Sequence, residues 1–131
     1  MIYLIHFDKP IGKARHYLGT CNDNRLEARL IEHARGHGAR LTKAVADRGI
    51  PMWLARVFPE LSFEQEKRIK RDVSFKNLCP LCCPMLERLK SQATLIDPKR
   101  PDAPPARAIW DARPPLNFPE PPDAEKAPAN R

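Results

Sequence analysis

An α/β chain of the α+β kind is what this sequence predicts: a small three-stranded antiparallel sheet flanked by helices in the order ββααβα, followed by a proline-rich tail. Three observations predict it. The chain opens on the β-branched and aromatic run IYLIHF. Helical periods bounded by caps and glycines follow. From Leu95 onward, ten of the fifteen prolines gather in a stretch with no helical or strand period.

The first strand is IYLIHF and the second HYLGT, joined by the turn-like DKPIGKAR into a hairpin. The loop CNDN offers Asn24 as a helix cap with Glu27 three residues on. RLEARLIEHARGHG then reads as a helix that stops at Gly36 or Gly38. ARLTKAVADRG is a second helix closed by Gly49, and PMWLARVF a third strand. SFEQEKRIKRDVSF opens on Ser62 as cap with Gln65 at the third helical position, which starts a third helix. The folded domain is placed at residues 1–90, with the cysteine-rich stretch 78–90 at its end, and the tail at 91–131.

Residues 1–90 carry 17 basic and 10 acidic side chains and residues 91–131 six of each, so the whole net charge of +7 falls on the domain. Such a bias suits either a polyanion partner or simple solubility. No apolar run approaches the roughly 20 residues of a membrane span, and His6 and Asp8 break the opening run, so neither a span nor a signal peptide is expected. A cytoplasmic chain with Cys21, Cys79, Cys82 and Cys83 reduced follows.

At 100° per residue, Leu26, Leu30 and Ala34 share one arc of the first helix, with His33 inside it and Arg29 at its edge. Four residues apart, a guanidinium fork and an imidazole can address one phosphate; equally, they can be a snorkelling arginine beside a satisfied core histidine. In the third helix Phe63, Ile69 and Val73 form a stripe with Glu66 in its middle. A carboxylate on a burial face needs a metal or a cation such as Arg29. Tyr3 and Tyr17 lie on the hairpin strands, where a phenol is either core or a group able to help deprotonate water. Together these groups form an inventory for metal-assisted phosphodiester hydrolysis.

The ordered series resembles the GIY-YIG endonuclease superfamily over about residues 1–77. IYL at Ile2–Leu4 stands where that family has GIY, with Met1 in place of the glycine, and YLG at Tyr17–Gly19 stands for YIG. ARLIEH reproduces its Arg-x-x-x-His as Arg29 and His33, and EKRIK resembles the context of its metal-binding glutamate, here Glu66. The resemblance implies a DNA endonuclease using one Mg²⁺ or Mn²⁺ on Glu66. Arg29 would stabilise phosphorane-like charge, Tyr3 or Tyr17 would act as or orient the base, and His33 would assist. Asn77 stands where some members have a supporting asparagine. Arg15, Arg25, Arg40 and Lys43 are the basic residues assigned to the DNA backbone.

CPLCCP holds Cys79, Cys82 and Cys83 in a Cys-x-x-Cys that lacks the second pair zinc usually takes; Cys21 or His37 are the completing ligands to consider, and a plain Cys-Pro turn is the alternative. In the tail, Trp110 and Phe118 are isolated hydrophobes able to dock on a protein partner or on the domain's own surface, with a passive extension as the plainer reading. Beside the nuclease, a catalytically quiet DNA-binding or recruitment module and a zinc-stabilised interaction protein complete the set of readings.

Overall fold

The computed structural model describes residues 1–72, 74–82 and 93–101. Its elements are β1 (Ile2–Ile11), β2 (Ala14–Thr20), α1 (Leu26–Ala34), α2 (Arg40–Asp47), β3 (Met52–Phe58), α3 (Phe63–Asp72), α4 (Phe75–Leu78) and β4 (Thr94–Ile96). All strand pairs are antiparallel, in the order β2-β1-β3-β4. The mixed α+β class and the ββααβα order through α3 hold, but the sheet has four strands where three were expected. The fourth comes from the stretch assigned to the tail, where Leu95 pairs with Trp53 and Ile96 is 2 % exposed in the core.

The hairpin closes later than the sequence suggests. β1 runs on through Lys9 and Pro10 to Ile11, and the turn is Gly12-Lys13, with Gly12 at φ +59°. Pro10 is tolerated because β3 pairs with β1 only as far as Phe7, leaving no third strand to be served there.

Alternation divides the sheet into two faces. Tyr3, Ile5 and Phe7 point to one face, where Leu26, Leu30 and Ala34 of α1 and Val45 of α2 cover them with Ile96. Ile2, Leu4 and Leu18 point to the other and meet Ile69 of α3, Leu78 of α4 and Leu81. Full burial of a side chain such as Leu30 stabilises by about 1.5–3 kcal/mol. β3 feeds both faces out of simple alternation: Leu54 and Val57, three apart, share the first face because the pairing to β1 shifts register there.

α1 is entered through a single 3₁₀ turn, Asp23–Arg25, so Asn24 lies inside that turn and no side chain caps the helix. Gly36 and Gly49, at φ +80° and +69°, end α1 and α2 as expected. In α3 the Gln65 side chain accepts from the Ser62 backbone N–H at 2.7 Å, half of the anticipated box. Phe63, expected on the burial stripe, is 64 % exposed. Among the described residues no helix is long and apolar enough to cross a membrane.

Candidate active site and metal centre

Cross-strand register builds the first cluster. Tyr3 faces Gly19 and Ile5 faces Tyr17, so the two phenols lie diagonal to each other with ring centroids 6.3 Å apart. The motif glycine is required by this packing: a Cβ on Gly19 would come within 2.6 Å of the Tyr3 ring and hydroxyl and 2.7 Å of the Tyr17 ring. α1 then lowers His33 onto the pair. Its Nε2 is 2.7 Å from the Tyr3 hydroxyl, and its ring centroid lies 5.1 Å from that of Tyr17. Gly38 leaves room for this imidazole, since a Cβ there would overlap the ring.

Thr42 fixes the histidine's tautomer. Its Oγ1 donates to the Ala39 carbonyl and accepts from the Ala39 N–H, each at 3.1 Å. With its one proton spent, it must accept from His33 Nδ1, 2.7 Å away. His33 Nε2 is then a bare acceptor, and the Tyr3 hydroxyl donates to it. Burial, reinforced by Arg29, lowers His33 to about 4, which keeps the imidazole neutral at pH 7. Burial, and then Tyr17, push the Tyr3 phenol well above its usual range, with Arg29 pulling the other way.

Arg29 completes the group. Its guanidinium donates at 2.8 Å to Glu32 and feels the Tyr3 and Tyr17 phenols; although burial opposes its charge, the bond to Glu32 and the two phenols hold it firmly protonated. Its carboxylate partner is therefore Glu32 rather than Glu66. Exposure separates the members: Tyr3 and His33 are fully buried, Tyr17 is half-buried, and Arg29 is 27 % exposed.

The chain matches no family model, no curated protein and no solved structure.

Glu66 sits apart on α3, 14 % exposed and ion-paired with Lys70 at 3.5 Å. The start of its helix reaches toward the phenol side at one point: Phe63, one turn earlier, lines a cleft of about 370 Å³ with Met1, Thr20, Cys21, Asn22 and Arg25. Among the basic residues, Arg15 donates to the Phe7 and Asp8 carbonyls, Arg25 and Lys43 pair with Glu32 and Asp47, and Arg40 is exposed. Only the backbone of Asn77, in α4, is described; Cys83, Val73, Trp110 and Phe118 fall outside the described residues.

On the opposite face His6 and His16, paired across β1 and β2, meet Cys79 and Cys82 in a cluster that could hold a metal ion. The groups gathered beside Cys79 and Cys82 are thus the two strand histidines, where the sequence suggested Cys21 or His37. Burial, then Arg15, lowers His16 to about 4, and burial beside Cys82 raises the Cys79 thiol. His6 and His16 were not selected from sequence, although period-two alternation puts both on the face opposite Tyr3 and Tyr17. Thr42 and Glu32 were also missed.

Proposed function

We propose that this chain is a metal-dependent endonuclease of the GIY-YIG kind, hydrolysing DNA phosphodiester bonds in the cytoplasm. The observation that supports this reading is the convergence of Tyr3, Tyr17, Arg29 and His33, from two strands and a helix, around one hydrogen-bonded centre with an exposed rim. A core tyrosine and a core histidine can satisfy each other without any guanidinium. Here a protonated arginine is held at the same phenol and still faces water.

In this reading the roles divide by exposure. Tyr17, at the rim, takes or orients the proton of the attacking water. Arg29 meets the phosphoryl oxygens where charge gathers. Tyr3 is a positioning residue, interacting with Arg29 and held by the His33–Thr42 chain. Glu66 is the residue assigned to one Mg²⁺ or Mn²⁺. A single partly buried carboxylate fits an ion that keeps most of its waters and binds through one or two carboxylates. When bound, the ion supplies positive charge at the leaving oxygen. Exposed Arg25 and Phe63, flanking one cleft, offer a cation and an aromatic face to the DNA, and the excess of basic residues supplies general attraction.

The test is cleavage of supercoiled plasmid and of branched DNA at low salt with Mg²⁺ or Mn²⁺, comparing wild type with Arg29→Ala and Glu66→Ala. Cutting that both substitutions lower by about 10³-fold, with folding intact, is expected. A second reading, a DNA-binding module without catalysis, is favoured by one observation: the Tyr3 hydroxyl is wholly buried. DNA retention without cutting in either metal would decide for it.

A further inference from the structure

The described residues hold one more concentration of chemistry, and it lies on the face of the sheet that the phenols do not use. His6 Nδ1 is 3.3 Å from His16 Nε2, 3.4 Å from Cys79 Sγ and 3.7 Å from Cys82 Sγ, and His16 Nε2 is 3.1 Å from Cys82 Sγ. All four donor atoms lie within 4.8 Å of one another. A zinc tetrahedron with metal–nitrogen and metal–sulfur bonds of about 2.0 and 2.3 Å has edges of about 3.3–3.8 Å. The four separations given, 3.1–3.7 Å, fall in or close to that range.

We propose that His6, His16, Cys79 and Cys82 form a closed structural zinc site that pins the chain following α4 to the sheet. The donor set is two imidazoles and two thiols, a borderline-soft combination that suits zinc and not Mg²⁺ or Mn²⁺. Two thiolates and two neutral imidazoles around Zn²⁺ sum to no net charge, which the surroundings demand: His6 and Cys79 are each 3 % exposed, with Leu78 and Leu81 packed alongside. Four protein ligands fill the coordination shell and leave no place for water or substrate, so the role is structural.

The local backbone is suited to the task. Cys79 precedes and Cys82 ends a single 3₁₀ turn, Pro80–Cys82, closed by the Cys82 N–H donating to the Cys79 carbonyl at 3.3 Å, and both sulfurs lie against His6 Nδ1. The histidines face each other across the β1–β2 ladder and are thus preset by the hairpin. Ligands 66 and 73 residues apart in sequence are joined at one point. A metal joined to both would tie the hairpin directly to the turn that follows α4.

The site stands independently of the nuclease reading, and its test reads metal, not cleavage. The full chain, expressed with zinc and purified without chelator, is expected to carry about one zinc per molecule by elemental analysis. Cys21→Ser should retain it, and the double variant Cys79→Ser/Cys82→Ser should fall below about a tenth of that content. Should the double variant fail to fold, wild type stripped of metal and titrated with Co²⁺ gives the same information: a tetrahedral site of two sulfurs and two nitrogens develops strong visible ligand-field bands that saturate at one equivalent and are reversed by Zn²⁺. Wild type that neither retains zinc after refilling and dialysis nor develops those bands overturns the proposal. So does undiminished zinc in the double variant.

Discussion

The two faces of the β1–β2 hairpin use neighbouring residues for opposite chemistry. Tyr17 and His16 are consecutive, yet one joins a phenol–guanidinium–imidazole group under α1 and the other a nitrogen–sulfur cluster under Pro80–Cys82. The first face is satisfied internally, by Tyr3, His33, Thr42 and Ala39 in a chain of hydrogen bonds, and opens to solvent through Tyr17 and Arg29. On the second, four donor atoms converge on one another. A period-two strand thus lets a thin sheet keep two clusters of different donor types apart, phenols and a guanidinium on one face and imidazoles with thiols on the other.

Substitutions within the first face test whether its roles divide as exposure says. Tyr17→Phe should lower DNA cleavage by about 10²–10⁴-fold with little change in melting, as loss of a proton-transfer group does. Tyr3→Phe should instead cost about 1–3 kcal/mol in a denaturant titration, because it leaves a buried His33 acceptor without its donor. The reverse pattern would exchange the two assignments.

Acid should act through His33. Its folded value of about 4 lies below the ordinary 6.5, so the stability this supplies is complete above about pH 6.5 and is lost as pH falls toward 4. The contribution is about 3 kcal/mol. Unfolding free energies of wild type and His33→Gln, measured across that window, should converge as the pH drops. The His6–His16–Cys79–Cys82 cluster is the same in both proteins, so the difference isolates His33.

The smallest effect concerns Glu32, which occupies the Arg29 guanidinium at 2.8 Å and lies 3.4 Å from Arg25. Its side chain is 38 % exposed, so Glu32→Gln should change stability by less than about 1 kcal/mol. The same change should tighten binding of short duplex DNA several-fold in a fluorescence titration, by releasing two cations to the phosphates. Unchanged affinity would remove Arg29 and Arg25 from the DNA contact.

What the sequence disclosed followed local rules. Leu26, Leu30, His33 and Ala34 are buried together because helical period alone decides their common face, and Gly36 and Gly49 end helices because their φ values are positive. The hairpin placed Tyr3 and Tyr17 on shared strands but left their register open until the Gly12-Lys13 turn set it. What escaped depends on distant segments meeting. His6 and His16 become ligand candidates only when Cys79 and Cys82 arrive from more than 60 residues away. Phe63 faces solvent although its stripe partner Ile69 is buried: it lies at the mouth of the cleft by Thr20 and Arg25, not under the sheet. β4 was invisible because three residues beside prolines carry too short an alternation to register.

That short strand also governs how the molecule meets its own copies. With Thr94–Ile96 in place, Met52–Leu54 have their hydrogen-bonding edge covered. At this edge of the sheet the outermost strand is then three residues long, followed at once by Asp97, Pro98 and Lys99. Without it, Met52–Leu54 would join the open border of β3, lengthening an apolar edge able to add a foreign strand and favour aggregation. β4 therefore guards solubility as well as closing the core.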